Sequence, residues 1–342
     1  MVLQDRIYAG RFWMRVSWKW FRSMYRAILF LLLFVLCCAG VACGMEECAE
    51  KKEGNGAGQL RCIAFYSSVN GVSSTIFRVT SSIQEHLGTD ERILLSVYCL
   101  PSDLYESLDY KVKTAAALDM DVMIVSNMSG DLDEDNLEEL QENQIFVLAV
   151  DGQPSAYELS ACIGADNRSA GRQAARLVAG IEGEHCAGIL ATSFRGGNIS
   201  VSRQERQAGF EEEAKGWDCI EIIPRFICTA NTLEAMRSVR EYLEENPQMD
   251  VLYCLDSASG VIASKVLAEQ GRTDEVYVIC FDQTEQVQRE MKEGGIDAVI
   301  EQEAEKIGRE CVDFLLRIAA CDDIQEMGQE ERAVPCRIIT RE

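Results

Sequence analysis

From Arg61 onward, short apolar runs bounded by polar residues alternate with longer runs whose apolar positions recur at helical spacing, and the alternation continues to the end of the chain. Repeated units of strand and helix commit a chain to parallel sheet, because parallel neighbours need a crossover and the right-handed crossover rule leaves few topologies. Cys62-Ile-Ala-Phe-Tyr66 reads as the first strand, and Ile76, Val79, Ile83 and Leu87 then share one helical face closed by Gly88. Strand 93–98, a helix capped by Ser102 and carrying Leu104, Leu108, Val112 and Ala116, strand 121–125, a helix around Leu137 and Leu140, and strand 145–150 follow. The pattern then restarts with helix 168–181, strand 186–192, helix 202–215, strand 219–224, helix 231–245 and strand 250–255. Helix 257–270, strand 275–281, helix 284–293, strand 296–300, helix 303–320 and a last strand 336–340 complete it.

A chain of 342 residues is long enough for two lobes that each bury a core. The expected fold is α/β, with two doubly wound parallel-sheet lobes and a ligand cleft between them. Short linkers between the halves imply lobes crossed by more than one segment. The expected partition is 61–164 plus 303–325 for the N-terminal lobe and 165–302 plus 326–342 for the C-terminal lobe.

In open α/β sheets, ligands bind beyond the carboxyl ends of the strands. Asp151 closes strand 145–150, Asp256 follows 251–255, Asp282 follows Phe281 at the end of 275–281, and Gln302 ends the strand begun at Ile296. Four strand ends thus offer polar groups, with no catalytic motif beside them. His86 and His185 are the only histidines, and there is no Cys-x-x-Cys, so neither a metal site nor a cofactor is expected. The chain reads as a receptor for a small molecule and not as an enzyme.

The formal charge is −23, and since six basic residues against Asp5 give the first 26 residues +5, the remainder carries −28. An acidic body of that size repels phosphate backbones, so no nucleic-acid partner is expected. Residues 1–26 form a basic cytoplasmic leader, 27–44 an uncharged apolar run at the short end of what spans a bilayer, and 45–60 a flexible polar tether. Export of the rest follows by the positive-inside bias. Two versions stay open: Gly40-Val-Ala-Cys43 resembles the cleavage box of a bacterial lipoprotein with Cys43 as the lipidated residue, or the run is an uncleaved signal anchor. Either places the body on the extracytoplasmic face of the cell membrane.

Fifteen cysteines in an exported chain would ordinarily mean disulfides. Cys62, Cys99, Cys186, Cys254 and Cys280 lie in or at the ends of apolar runs, where a thiol packs as a small hydrophobe. Most of the eleven after residue 60 are expected to be free, which implies a low-oxygen habitat such as that of an anaerobic bacterium.

Several motifs taken together resemble a family. Ala165-Asp-Asn167-Arg-Ser-Ala-Gly171 is similar to the Asp-Asn-x-x-(Ala/Gly)-Gly helix start of the type I periplasmic binding proteins, especially the ribose and galactose group, whose fold also forms the effector domain of lac-type repressors. Arg203-Gln-Glu-Arg206-Gln-Ala-Gly209-Phe210 resembles their Arg-x-x-Gly-Phe element, and Phe281-Asp282 and Gln302 match their strand ends. The resemblance covers about 62–342 and implies that Ser68, Asp151, Arg206, Asp256, Asp282 and Gln302 face the cleft. In sugar-binding members such acids and Arg exchange paired hydrogen bonds with vicinal hydroxyls. Asp256 stands where ribose binders often have Asn, which favours a different polyol or a cationic ligand. The family's aromatic turn after the first strand is replaced by Asn70-Gly-Val-Ser-Ser-Thr75, so either Tyr66, Phe226 or Phe281 supplies the stacking face or the ligand is not a common hexose or pentose.

Each residue has a plainer reading. An Asp after a strand can cap the next helix, Arg206 can belong to a solvated helix face, and Gln302 can be a surface amide. Arg195-Gly-Gly-Asn198 reads as a flexible loop, and the acids of 131–135 as a helix N-terminus rather than a calcium loop. The functional expectation is a membrane-tethered solute-binding protein that closes over a sugar or polyol and delivers it to an ABC transporter permease. The alternative partner is a membrane sensor kinase. A lac-type repressor would need a helix-turn-helix where the apolar run stands.

Overall fold

A computed structural model of the protein describes residues 59–67, 75–101, 104, 107–126, 132–151, 157–193, 199–229 and 231–341. The leader, the apolar run with Cys43, the tether up to residue 58, Ser68, the 70–74 turn and the 195–198 loop lie outside the described residues.

The chain order is β1 (Leu60–Ser67), α1 (Thr75–Leu87), β2 (Ile93–Leu100), α2 (Leu108–Ala117), β3 (Val122–Ser126), α3 (Glu134–Glu142), β4 (Phe146–Val150) and β5 (Ser160–Ala165). There follow α4 (Asn167–Ala179), β6 (His185–Ser193), α5 (Val201–Ala214), β7 (Ile220–Ile222), β8 (Phe226–Thr229), α6 (Thr232–Glu245), β9 (Val251–Cys254) and α7 (Ser257–Gln270). The chain closes with β10 (Tyr277–Phe281), α8 (Glu285–Glu293), β11 (Ala298–Glu301), α9 (Ala304–Ala319), a 3-10 turn (Ile324–Met327), β12 (Glu330–Val334) and β13 (Arg337–Thr340).

These strands form two sheets, and the expected α/β architecture is what the chain adopts. The first, β12-β5-β4-β3-β1-β2, is parallel throughout; the second runs β13-β11-β10-β9-β6-β7, with β8 paired to the later part of β6 and only β13 antiparallel. Each sheet is buried on both faces. Ile83, Ile124, Phe146 and Phe314 pack on one face of the first and Phe65, Met123 and Leu140 on the other. Val239, Leu252 and Val278 occupy one face of the second, and Phe210, Tyr253 and Phe281 the other. Burial on both faces is why β3, β4, β9 and β11 read as unbroken apolar runs instead of alternating ones.

The chain passes between the sheets at 165–167, at 302–304 and at 335–336. The first and third crossings are tied together, since Asp166 N–H donates to the carbonyl of Val334 at 2.9 Å. Two expected boundaries move. Leu60, assigned to the tether, opens β1 and is buried. Residues 330–334, assigned to the C-terminal lobe, pair with β5 of the first sheet, so only the stretch after Val334 belongs with the second.

Among the described residues, no disulfide joins any of the eleven cysteines from Cys62 on. Cys62, Cys254 and Cys280 are buried as expected, whereas Cys99 is exposed because β2 is an edge strand.

Candidate ligand cleft

The side chains expected to form the site are brought to the carboxyl ends of β4, β9, β10 and β11 by the two sheets, and a close pair of helices supplies the arginine. Asp166 caps α4 by accepting from Ser169 N–H at 2.8 Å. Gly171 of α4 lies against α5 so closely that a Cβ there would collide with the Arg206 carbonyl, and a Cβ on Gly209 would collide with the Arg168 carbonyl. Two glycines thus let α4 and α5 meet backbone to backbone, and that contact sets the position of Arg206.

Arg206 is buried, at 3% exposure, and not on a solvated face. Its Nε donates to Asn167 Oδ1 at 2.8 Å, its Nη1 to the carbonyl of Leu255 at 2.9 Å, and its guanidinium carbon lies 3.8 Å from the centre of the Phe281 ring. Asn167 in turn donates through Nδ2 to Asp151 Oδ1 at 3.1 Å and to the carbonyl of Ala165 at 3.1 Å. A continuous relay therefore runs from Arg206 in the second lobe through Asn167 to Asp151 at the end of β4 in the first.

Asp282 and Gln302 form the other half of the site. Gln302 Nε2 donates to both carboxylate oxygens of Asp282, at 2.9 and 3.0 Å. Gln302 is 1% exposed, and its Oε1 has no hydrogen-bond partner among the described residues. Burial pushes the Asp282 carboxyl above the usual carboxylate range, opposed by Arg206, raised further by Glu301, opposed again by the Gln302 amide and raised by Asp151. Asp151 and Asp282 also share a backbone state, with φ of 55° and 62°. Left-handed backbone at a residue other than glycine is tolerated best by Asp and Asn, costs on the order of 1 kcal/mol, and clusters at ligand clamps. Gly164 on β5 makes room for the first of these turns: a Cβ there would lie 3.0 Å from Asp151 N.

Asp256 behaves differently. Its Oδ1 accepts from Thr192 Oγ1 at 3.0 Å and Ser259 N–H at 2.8 Å; its Oδ2 accepts from Thr192 N–H at 2.9 Å and pairs with Arg203 Nε at 3.1 Å. A carboxylate offers about four acceptor positions, and four donors of the protein fill them. Asp256 therefore caps α7 and ties β6 to β9, and its acidity is matched by Arg203. The inference of a cationic ligand from Asp256 loses its basis.

The three candidate stacking rings fare unequally. Phe281 is fully buried under Arg206, which leaves no face for a ligand. Phe226 stacks on Tyr242 at 4.8 Å between centroids, and Tyr66 meets Phe77 edge-on at 5.3 Å.

Five residues at the site escaped the sequence reading. Asn167 stood in the quoted motif without being counted as a cleft residue. Arg78 of α1 pairs with Glu301 at 2.6 Å across the lobes, and Glu301, 3% exposed, also accepts from Gln283 N–H at 2.5 Å. Cys336, on the third crossing, sits near Arg206, Asp282, Asp151 and Asp166, and burial pushes its thiol up to about 12. Arg203 carried no signal beyond its place in a charged run. A separate surface hollow of about 740 Å³, lined by Leu137, Gln144, Tyr157 and Gln329 among others, shares no residue with this cluster.

Comparison with known proteins bears on this arrangement. The profile of the periplasmic binding protein domain matches residues 111–322. No curated protein matches the chain at a significant level. Among solved structures, GanP, a glucose-galactose binding protein from Geobacillus stearothermophilus, is similar at 20% identity and a TM-score of 0.66, over 83% of this chain and 98% of that one. An ABC transporter solute-binding protein from Burkholderia graminis, in complex with D-arabinose, is similar at 15% identity and a TM-score of 0.70, over 84% and 97% of the two chains. The XylFII-LytSN complex contributes a third, at 18% identity and a TM-score of 0.66, over 83% and 98%.

Proposed function

We propose, from the premise that the chain belongs to the type I periplasmic binding protein family, that it is a membrane-tethered solute receptor on the extracytoplasmic face of the cell. The family is one of ligand-binding proteins and not of enzymes. In this reading the two lobes close over a small polar ligand, a sugar or polyol, and the closed form delivers it to an ABC transporter permease. The observation that carries it is the relay Arg206–Asn167–Asp151, a hydrogen-bonded path from one lobe to the other beside the Asp282–Gln302 pair. A ligand bonded to these groups touches both lobes at once and so favours closure, since only differential contact between open and closed states shifts the equilibrium. GanP and the D-arabinose complex add support, because their ligands are sugars and their fold is this one.

The tether has its own support in the basic leader and the apolar run of 27–44, with Cys43 as the lipid acceptor or the run itself as the anchor. The test is a thermal-shift screen of the purified chain against sugars and polyols, followed by calorimetry of the hits. A ligand at a hundred times its Kd adds about 2.7 kcal/mol of stability. A complete sugar and polyol panel without a shift would sink the reading.

A second reading, a ligand-sensing accessory of a membrane sensor kinase, is favoured by one observation, that a similar chain was solved in the XylFII-LytSN complex. Loss of ligand uptake on deletion of the gene supports the transport reading; retained uptake with loss of a transcriptional response supports the sensing one.

A further inference from the structure

The charges around the cleft are matched except at its centre. Arg203 answers Asp256 at 3.1 Å, Arg78 answers Glu301 at 2.6 Å, and Lys306 and Arg337 answer Glu303 at 2.5 and 3.4 Å. Asp151 and Asp282 form no ion pair with a described residue; the side chains that donate to them are the neutral amides of Asn167 and Gln302. Arg206 is the nearby cation, yet it aims Nε at Asn167 and Nη1 at the Leu255 carbonyl and lies over Phe281. One guanidinium, directed elsewhere, thus stands against two carboxylates. Asp151 is near enough to Asp282 to help hold its carboxyl above the ordinary titration range, as like charges do.

A second, independent observation marks the same place. The Oε1 of Gln302 is buried, without a partner among the described residues, on the amide whose other end is fixed to Asp282. A buried acceptor left unpaired costs on the order of 1–3 kcal/mol, so the site calls for a donor there. Asp151, Asp282 and Gln302 Oε1 are all acceptors. A neutral hydroxyl supplies one donor and no charge, whereas a primary ammonium supplies three donors and one positive charge.

We propose that the cleft is built for a hydroxylated primary amine, an amino sugar or amino polyol, whose ammonium is held by Asp282, Asp151 and the free carbonyl of Gln302. The hydroxyls of the same ligand meet the remaining donors of Arg206 and Asn167. This rests on the receptor reading and narrows its ligand class. It also replaces the earlier ground for a cation, since the uncompensated acids are Asp151 and Asp282 and not Asp256.

The test is calorimetric titration of the full chain with matched pairs: D-glucose and D-glucosamine, D-galactose and D-galactosamine, and myo-inositol and a monoamino inositol. N-acetyl-D-glucosamine and N-acetyl-D-galactosamine serve as uncharged controls of similar shape. The expected result is that at least one amine binds tenfold or more tightly than its neutral parent at pH 6.5. Acetylation should remove that advantage, and Asp282→Asn should shrink it while the variant melts cooperatively and at no lower a temperature than the parent. A neutral parent bound as tightly as its amine overturns the amine inference and leaves the receptor reading standing. Absence of binding by both members of every pair, with no hit in the wider sugar and polyol panel, overturns both.

Discussion

Gly171 lies against the carbonyl of Arg206 with no room for a Cβ, and Gly209 lies equally close to the carbonyl of Arg168. The α4–α5 contact is therefore made by backbone, which is less able to yield than a side chain. Arg206 takes its position from this contact and passes it through Asn167 to Asp151.

Gly171→Ala and Gly209→Ala should each destabilise the protein by about 1–3 kcal/mol, the usual cost of overpacking. They should also weaken ligand binding although neither residue touches the cleft, because the helices must part and carry Arg206 with them. Thermal melts and calorimetry on the same samples check this. Unchanged affinity in a destabilised Gly171→Ala variant would show that Arg206 is positioned from elsewhere.

Asp256 and Arg206 should separate stability from binding. Asp256→Ala removes an N-cap and the partner of Arg203, and should cost about 2–3 kcal/mol of stability with little change in affinity well below the melting temperature. Arg206→Lys keeps the charge but loses the fixed pair of donors to Asn167 and Leu255, and should weaken binding about tenfold to a hundredfold. A pattern in which Asp256→Ala loses binding without losing stability would place Asp256 in the ligand's contact set.

The folded Asp282 carboxyl titrates above the unfolded value, so its protonated form is favoured by folding. Its contribution is fully present below about pH 4 and is lost as pH rises through the folded value, where a buried carboxylate must ionise. Asp282→Asn keeps a residue tolerant of left-handed backbone. Its melting temperature relative to the parent should therefore climb between pH 4 and pH 7 in the absence of ligand. A difference that stays flat or falls would mean that Asp282 is not held up by burial.

Arg78 and Glu301 join the lobes through an ion pair at 2.6 Å. Arg78→Ala leaves Glu301 buried with, among the described residues, only the Gln283 N–H as a donor, and the lobes should then spend more time apart. Small-angle scattering should report a larger radius of gyration for Arg78→Ala than for the parent. A double-mutant cycle with Glu301→Gln should give a coupling of about 0.5–3 kcal/mol. Additive effects and unchanged scattering would remove the pair as a device of closure.

Much of the fold was legible because periodicity is local. The helices and the apolar strands sit close to where their spacing placed them, except that α2 starts at Leu108 behind the cap Ser107 and not from Ser102, and Asp151, Asp282 and Gln302 lie at the strand ends that the runs defined. Three strands were missed for physical reasons, and one of them, β8 (Phe226–Thr229), is only four residues long. β5, Ser160–Ala165, is built of small residues with little apolar signal, and β12, Glu330–Val334, is a charged edge strand recognisable only by its pairing with β5.

What the sequence by itself determined was the pair of sheets, the strand ends and the two glycine motifs, all set by spacing along a few consecutive residues. What only the tertiary structure decided was which acid is free. Asp256 and Asp282 each follow an apolar strand and look alike in sequence, yet Thr192 and Arg203 fill the first, while the second keeps a carboxylate without an ion pair beside an unpartnered Gln302 oxygen. A strand end fixes where a side chain starts. Its charge balance is set by residues far along the chain, such as Thr192, 64 positions from Asp256, that only the finished packing of sheets and helices brings alongside.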